Sequence, residues 1–253
     1  MKQRIKKFLK RYPAIYALVK MIYYTLGSSI LGRFLTWHER QWETRALSAA
    51  EGYWNNRNNP NKHLLVERIA ALSPIHSILE VGCNSGPNLY LLAKKFPQAQ
   101  IVGIDINSKA VQYGNAQFAQ EGIPNVQLLV GKADELGQFQ DKSFDVVFTR
   151  AVLIHIGPDK IKNIVEEMIR VSRRALILME GQCFEPQDED PNGMGIYCSG
   201  IWKAWRMWRR DYVALLKQYV PAEQIRVIRI PEEVWTVEES WEPWSVAVIE
   251  VLM

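Results

Sequence analysis

The chain has 253 residues, of which 48% are hydrophobic and 23% charged, a composition typical of a globular domain with a sizeable core. Its three cysteines (Cys83, Cys183 and Cys198) have no CxxC spacing, which indicates thiols in the reducing cytoplasm and excludes a disulfide framework or a zinc site. The net charge of +4 hides an asymmetry, because residues 1–38 hold eight Lys or Arg and no acid. The remaining chain has 23 basic and 27 acidic side chains, which argues against nucleic acid as a partner.

Residues 1–60 are predicted to form a helical, aromatic-rich extension. Six of its cations fall within Lys2–Arg11, and the apolar stretch that follows, Ile15–Leu31, is interrupted by Lys20. That stretch is too short for the roughly 20 apolar residues of a transmembrane helix, and no small-residue cleavage site of a signal peptide follows it. Two interpretations stay open for residues 1–38. They bind an anionic membrane surface peripherally, or they pack on their own domain.

Short apolar runs rich in β-branched residues alternate with helical patterns across residues 61–253, which predicts an α/β domain with a parallel sheet. Five of these runs are predicted strands: Ser77–Val81, Ile101–Asp105, Val126–Val130, Phe144–Thr149 and Ala175–Glu180. Three stretches between them are predicted helices: Asn88–Lys95, Ser108–Gln120 and Pro158–Ser172. Ser108 is the expected N-cap of the second helix, and Pro158 suits the first turn of the third.

The C-terminal part of the chain breaks this rhythm. Residues 182–207 are rich in Pro, Gly and acids and are predicted to form an insertion that acts as a lid or substrate loop. A helix is expected over Trp208–Tyr219, followed by strands over Gln224–Ile230 and Trp244–Leu252. Trp202, Trp205 and Trp208 recur every three residues among basic side chains, so they form either a sugar-stacking surface or a packed helix face.

The run from Ile78 to Gly86 ends a buried strand with a glycine-containing turn and leads into a helix. Gly82 and Gly86 allow a sharp turn and a close approach of the backbone to a ligand, and Asn84 tolerates a left-handed conformation. Asp105 ends the next strand, 19 residues after Gly86, where a carboxylate can accept hydrogen bonds from both hydroxyls of a ribose. The G-x-G-x-x-G fingerprint of a nicotinamide-dependent dehydrogenase is absent.

These residues resemble the first motif of class I S-adenosylmethionine (SAM)-dependent methyltransferases, acid-x-Gly-x-Gly-x-Gly. Glu80, Gly82 and Gly86 match it, and Asn84 replaces the middle glycine. The resemblance implies SAM as cofactor and a Rossmann-like, doubly wound, mostly parallel seven-stranded sheet whose last strand is antiparallel.

The same resemblance implies further cofactor contacts. Asp134, in the sequence Gly131–Asp134 that includes Ala133, resembles the acid that meets the adenine amino group. Ile106, next to Asp105, and Arg150, just past the fourth strand, complete the expected set of cofactor-binding residues. Arg57 is either a clamp on the methionine carboxylate of SAM or a surface arginine.

The methyl acceptor is indicated less directly. The sequence Val152–Ile156 and the later Arg209–Tyr212 are similar to methylases of surface-sugar (pseudaminic or sialic acid type) biosynthesis, which implies a small-molecule or glycan acceptor. His155 and Glu180 follow strand ends at the expected ligand-binding edge and are the candidate general bases for O-methylation. Other hypotheses stay open: N-methylation of a small molecule or peptide, and an inactive SAM-binding scaffold at a membrane surface. The sequence carries no paired-acid metal signature.

Overall fold

The computed structural model describes residues 39–184, 193, 196–198, 207–230 and 246–253. The expectations for residues 1–38, and for Trp202 and Trp205 in the predicted insertion, therefore fall outside the described residues. Tertiary contacts define one compact unit over Trp42–Met253. Within the described residues, no helix is both long enough and apolar enough to cross a bilayer.

The elements are numbered here in chain order. Six helices are described: α1 Leu47–Asn55, α2 Pro60–Ala70, α3 Pro87–Lys95, α4 Ser108–Gln120, α5 Ile161–Val171 and α6 Tyr212–Leu216. Nine strands are described: β1 Ser77–Val81, β2 Gln100–Asp105, β3 Val126–Val130, β4 Phe144–Arg150, β5 Ser172–Gly181, β6 Ile196–Cys198, β7 Met207–Arg209, β8 Ile225–Arg229 and β9 Val246–Leu252. Short 3-10 turns lie at Leu136–Gln138, Leu153–His155 and Ala222–Gln224.

Seven of the strands form one sheet in the order β3-β2-β1-β4-β5-β9-β8, and β6 pairs with β7 separately. The strands from β1 to β5 pair in parallel, whereas β9 is antiparallel to both β5 and β8. The predicted Rossmann-like sheet of seven strands with an antiparallel last strand is confirmed. The order reverses about β1, and this reversal leaves a crevice at the carboxyl edge of the central strands.

Both faces of the sheet are covered, which explains why its strands are nearly continuous apolar runs. Alternate residues of β1 point to opposite faces: Ile78 joins a core cluster with α2, α3 and α4, and Leu79 joins one with α5 and α6. Both side chains are fully buried. The same alternation places Glu80 on the α3 face, where it follows Ile78 by two residues.

The elements predicted between residues 77 and 181 match the structure closely, and three have the predicted bounds: β1, α4 and β3. Two later helices differ from the prediction. Helix α5 begins at Ile161 rather than Pro158, because residues 157–160 form a turn in which the Gly157 carbonyl accepts the Ile161 amide at 3.1 Å. The predicted helix Trp208–Tyr219 is instead β7 followed by α6, since the Asp211 side chain accepts the Val213 and Ala214 amides and so fixes the helix start.

Helix α2 lies where the sequence predicted the polar end of an extension. Asn59 caps it by accepting the Asn61 amide at 3.2 Å, and Pro60 occupies the first helical position, a typical helix start. The expected boundary between residues 60 and 61 thus falls in the first turn of α2. Helix α1 also lies inside the compact unit: the Ala50 carbonyl accepts the Ser85 hydroxyl at 2.9 Å.

The cap of α4 is Asn107, not the predicted Ser108. The Asn107 side-chain oxygen accepts the Lys109 and Ala110 amides at 3.0 and 3.2 Å. Its side-chain nitrogen donates to the carbonyls of Trp42 and Arg45, at 3.0 and 3.2 Å. Asn107 therefore ties the start of α4 to the segment that precedes α1.

We expect Asn107→Ala to lower the free energy of unfolding by about 1–2 kcal/mol, the cost of losing a helix cap, because four hydrogen bonds depend on this side chain. Ser108→Ala is the matched control and should change stability by less than about 0.5 kcal/mol, as an exposed substitution does. Urea unfolding of the two variants measures both values. Equal losses would contradict the assignment of the cap.

Candidate functional site

The candidate site lies at the carboxyl edge of β1, β2 and β4, where parallel strands place the segments that follow them side by side. The turn after β1 is bonded to the end of β2, because the Ile104 carbonyl accepts the amides of Gly82 and Cys83 at 2.8 and 2.9 Å. Most of the residues predicted to bind the cofactor occur on these segments.

Gly82, Asn84 and Gly86 have positive φ values of 79°, 50° and 79°, and Asn84 adopts the left-handed conformation expected for it. The need for glycine arises from packing as well as conformation. A Cβ on Gly82 would lie 2.4 Å from a methyl group of Val152, and one on Gly86 would lie 2.7 Å from the Phe118 ring. Side chains of the protein thus occupy the space beside each Cα, and the expected approach of the backbone to a ligand stays a prediction.

Asp105 joins the glycine turn to the start of α4. One carboxylate oxygen accepts the Asn84 amide at 2.7 Å, and the other accepts the Asn107 amide at 2.8 Å. Burial raises the pKa of Asp105, and the two amide bonds oppose this rise. Because each carboxylate oxygen can accept a second hydrogen bond, Asp105 keeps capacity for a ligand that donates two.

Glu80 is almost completely buried at the end of β1, with 1% of its surface exposed. The side-chain amide of Asn88, on α3, donates to one of its oxygens at 2.6 Å. Burial raises the Glu80 pKa to about 8, although Asn88 and the positive charges of Arg150 and Lys62 oppose the rise. The carboxyl group is therefore partly protonated near neutral pH.

Asn61, on α2, extends this group of buried polar residues. Its side-chain oxygen accepts from the Arg150 guanidinium at 2.8 Å, which brings α2 to the end of β4. Three buried polar atoms here have no hydrogen-bond partner among the described residues: Asn61 Nδ2, Glu80 Oε2 and Asn88 Oδ1. Unpaired buried polar atoms are costly, so this group has the unmet bonding capacity that a polar ligand would satisfy.

Arg57 contacts the side chains of Tyr90 and Glu121, and its role as a clamp on the methionine carboxylate stays a prediction. Its guanidinium lies 4.8 Å from the Tyr90 ring centroid and forms an ion pair of 3.4 Å with Glu121. Arg150, which the structure places beside Asn61, is the arginine at the candidate site.

The loop after β3 carries the residues predicted to meet the adenine. Asp134 forms an ion pair of 2.9 Å with Lys160, and both side chains are partly exposed. Ala133 packs against the core cluster on the α5 face, and Ile106 is half-buried after Asp105. The predicted role of these three residues in binding the cofactor stays a prediction.

His155 ends the 3-10 turn that follows β4, and its ring centroid lies 4.9 Å from that of Trp42. The Arg45 guanidinium covers Trp42 at 4.3 Å from the ring centroid. Because Asn107 holds the Trp42 carbonyl, the segment before α1 reaches from the end of β2 to the turn after β4. The sequence analysis did not single out Trp42, since only the tertiary fold brings it to this edge.

Glu180 was predicted to be a second candidate base, and the structure gives it a different place. Its side chain is fully buried on the α5 face of the sheet, and one oxygen accepts the Val152 and Leu153 amides at 3.0 and 3.2 Å. Burial raises the Glu180 pKa, and these amides oppose the rise. The carboxyl group thus bonds to the turn before His155 from beneath and has no surface open to an acceptor.

Comparison with known proteins agrees with this geometry. Residues 78–175 match a family model described as a methyltransferase domain. This stretch is therefore similar to a methyltransferase domain. It spans β1 through the first part of β5 and so includes Glu80, the glycine turn and Asp105.

Similar sequences each cover part of the chain. The chain is 31% identical over 75 residues to a malonyl-[acyl-carrier protein] O-methyltransferase of Priestia megaterium, covering 30% of this chain and 26% of that protein. It is 34% identical over 100 residues to a ubiquinone biosynthesis O-methyltransferase of Albidiferax ferrireducens, covering 38% of each. The chain thus spans well under half the length of each relative.

A SAM-dependent methyltransferase from Aquifex aeolicus shares the fold. The structural match has a TM-score of 0.52 at 18% sequence identity and covers 82% of this chain and 98% of that one. The similarity of fold therefore extends over most of this chain and nearly all of that structure.

The raised pKa of Glu80 predicts a pH-dependent stability. Between the usual value near 4.5 and about 8, the folded protein binds more protons at this site than the unfolded chain, so stability falls as pH rises through that range. The unmodified protein should lose unfolding free energy between pH 5 and pH 8, and Glu80→Gln should make that loss smaller by on the order of a few kcal/mol. Urea unfolding at both values measures it, with Glu135→Gln, an exposed change, as control. Identical pH dependence in Glu80→Gln and the unmodified protein would contradict a buried, protonated Glu80.

Proposed function

We propose that the protein is a SAM-dependent methyltransferase whose cofactor site is the group of residues from Glu80 to Asp105 at the carboxyl edge of the sheet. The observation that carries the proposal is the position of Asp105. Asp105 lies in the stretch that matches the methyltransferase family model and ends β2 beside the glycine turn. Backbone amides orient both of its carboxylate oxygens. A carboxylate held in this way suits the two hydroxyls of a ribose.

The residues on the α3 face fit the amino-acid end of SAM. Its carboxylate needs donors, and Asn61 Nδ2 and the Arg150 guanidinium supply them. Its ammonium group needs acceptors, and the partner-free oxygens of Glu80 and Asn88 supply these. SAM brings positive charge, which would favour the ionised form of Glu80 over the protonated form that burial favours.

When bound, SAM supplies a methyl group activated by its sulfonium for in-line displacement, so the protein mainly aligns, excludes water and moves a proton. The Asp105 carboxylate would orient the cofactor, and the Asn84 amide orients Asp105. The His155 imidazole, at the turn beyond β4, would accept the proton that an acceptor hydroxyl loses. Trp42 covers one side of that imidazole and would keep water from it.

For the acceptor, we propose a hydroxyl group on a sugar or a sugar-bearing small molecule. An indole face beside a general base suits a sugar ring, which stacks its C–H face on an aromatic side chain. The similarity of Val152–Ile156 and Arg209–Tyr212 to surface-sugar methylases supports the same class, and the two relatives described above are named O-methyltransferases. N-methylation and an inactive SAM-binding scaffold are the alternatives that an assay distinguishes.

Asp105→Ala is expected to weaken SAM binding at least about tenfold, because each hydrogen bond to a charged group contributes about 1.5–3 kcal/mol. Asp105→Asn should fall between this variant and the unmodified protein, since it keeps one oxygen for the turn amides. Isothermal titration with SAM measures the affinities. Asp159→Ala, an exposed change beyond the turn of His155, is the control and should bind like the unmodified protein. Unchanged affinity in a folded Asp105→Ala would contradict the site.

His155→Gln should leave SAM affinity within about twofold and lower the rate of methyl transfer by about 10²–10⁴, the usual contribution of a general base. The assay incubates the protein with isotope-labelled SAM and a small-molecule extract, and mass spectrometry identifies the methylated product. An unchanged rate would exclude His155 as the base. An N-methyl amine or a methylated nucleic acid would contradict the acceptor class, and binding without S-adenosylhomocysteine formation would indicate a scaffold.

A further inference from the structure

A second buried polar cluster lies on the α5 face of the sheet, opposite the group around Glu80. It consists of Glu180 at the end of β5, Thr149 near the end of β4, and Arg210 and Tyr212 between β7 and the first turn of α6. All four residues are fully buried. The proposed cofactor site uses none of them, so the cluster calls for a separate explanation.

Glu180 and Arg210 both bind the backbone of the turn that follows β4. The Glu180 carboxylate accepts the amides of Val152 and Leu153, at the start of the turn. The Arg210 guanidinium donates to the carbonyls of Leu153 and Ile156, at its end. The turn is thus held by a carboxyl oxygen at its donors and by a guanidinium at its acceptors, and the bonds from the guanidinium are charge-assisted, the stronger class of hydrogen bond.

The turn begins next to a strained residue. Ala151, immediately before it, has a φ of 58°, a left-handed conformation that costs energy in a residue other than glycine. Its own amide is bonded to the Met179 carbonyl at 3.0 Å, so the strained residue is fixed to β5. Such a conformation persists only when its surroundings impose it, and Glu180, one residue after Met179, belongs to those surroundings.

Arg210 is itself anchored to the end of β5. Its carbonyl accepts the Cys183 amide at 2.7 Å. The Gln182 side chain accepts the Tyr212 amide at 2.9 Å and donates to Asp211 at 2.8 Å. The backbone is therefore hydrogen-bonded at the Arg210 carbonyl and at the Tyr212 amide. These bonds limit the movement of the Arg210 guanidinium relative to the turn.

His155 lies between the two carbonyls that Arg210 binds, and its ring lies against Trp42. We propose that Glu180 and Arg210 are positioning residues that fix the Val152–Ile156 turn and thereby hold the His155 imidazole against Trp42 at the edge of the crevice. This inference rests on the proposed function, because it assigns the two residues to the same reaction through His155. Neither residue belongs to the proposed cofactor site.

The test is the NMR signal of the His155 ring in the full-length protein with labelled histidine. The chain has four histidines, and loss of one signal in His155→Gln assigns that of His155. Trp42 displaces this signal by its ring current, and Trp42→Leu gives the value without it. In Arg210→Lys, which cannot reproduce the two-pronged contact, and in Glu180→Gln, we expect the signal to move toward the Trp42→Leu value.

The matched controls are Arg68→Lys and Glu250→Gln. Arg68 and Glu250 also pair a buried carboxylate with an arginine, at 2.7 and 2.9 Å, but join α2 to β9. They should leave the His155 signal in place even where they lower the unfolding temperature. A signal that stays in place in Arg210→Lys and Glu180→Gln, or moves equally in the controls, would overturn the proposal.

A measurement on the unmodified protein covers the case in which these variants do not fold. The Val152 and Leu153 amides should exchange with solvent as slowly as the amides of β4. They are bonded to a buried carboxyl group, so exchange requires the whole turn to detach. Exchange of the Val152 and Leu153 amides as fast as that of Gly137, an exposed residue in the 3-10 turn Leu136–Gln138, would overturn the proposal. SAM titration of the unmodified protein separates the two claims. If the protein does not bind SAM but the His155 signal moves as expected in Arg210→Lys and Glu180→Gln, the proposed function alone is contradicted. If the protein binds SAM but that signal stays in place, this inference alone is contradicted.

Discussion

The candidate site depends on one carboxylate at the end of β2. Asp105 accepts the amides of Asn84 and Asn107, and so connects the turn after β1 to the start of α4. Asn107 then binds the carbonyl of Trp42, and Trp42 lies against His155 on the turn after β4. This chain of contacts joins the segments that follow three neighbouring strands, so the cofactor site and the proposed base share a single support.

The two faces of the sheet carry buried acids with opposite uses. Glu80, on the α3 face, is bonded by Asn88 and retains an oxygen without a partner, which leaves it available to a ligand. Glu180, on the α5 face, accepts backbone amides of the turn beyond β4 through one oxygen, and its other oxygen also has no partner among the described residues. Burying a carboxyl group disfavours its charged form in both cases, and the pKa of each is raised. A site that binds a cationic cofactor and orients a base gives both acids a function.

The sequence predicted the elements whose bounds depend on local pattern, and it did not predict the contacts between residues far apart in the chain. Strand β1 and helix α4 had the predicted bounds because their apolar periodicity is strong, and the left-handed Asn84 follows from its place between two glycines. The α4 cap was misassigned because Asn107 and Ser108 are adjacent and both are capping residue types. The buried bond of Arg150 joins residues 89 apart, and the contact of Arg210 with Leu153 joins residues 57 apart, so no local signal predicts either.

The most direct test of the account is a crystal structure of the protein with S-adenosylhomocysteine, the product of methyl transfer from SAM. The account predicts ribose hydroxyls within hydrogen-bonding distance of Asp105, with the amino-acid end of the ligand at Glu80, Asn61 and Arg150. It also predicts that the Asn84 and Asn107 amides remain on the Asp105 carboxylate. A ligand bound elsewhere, or one that displaces Asp105 from both amides, would contradict the central claim that this carboxylate organises the cofactor site.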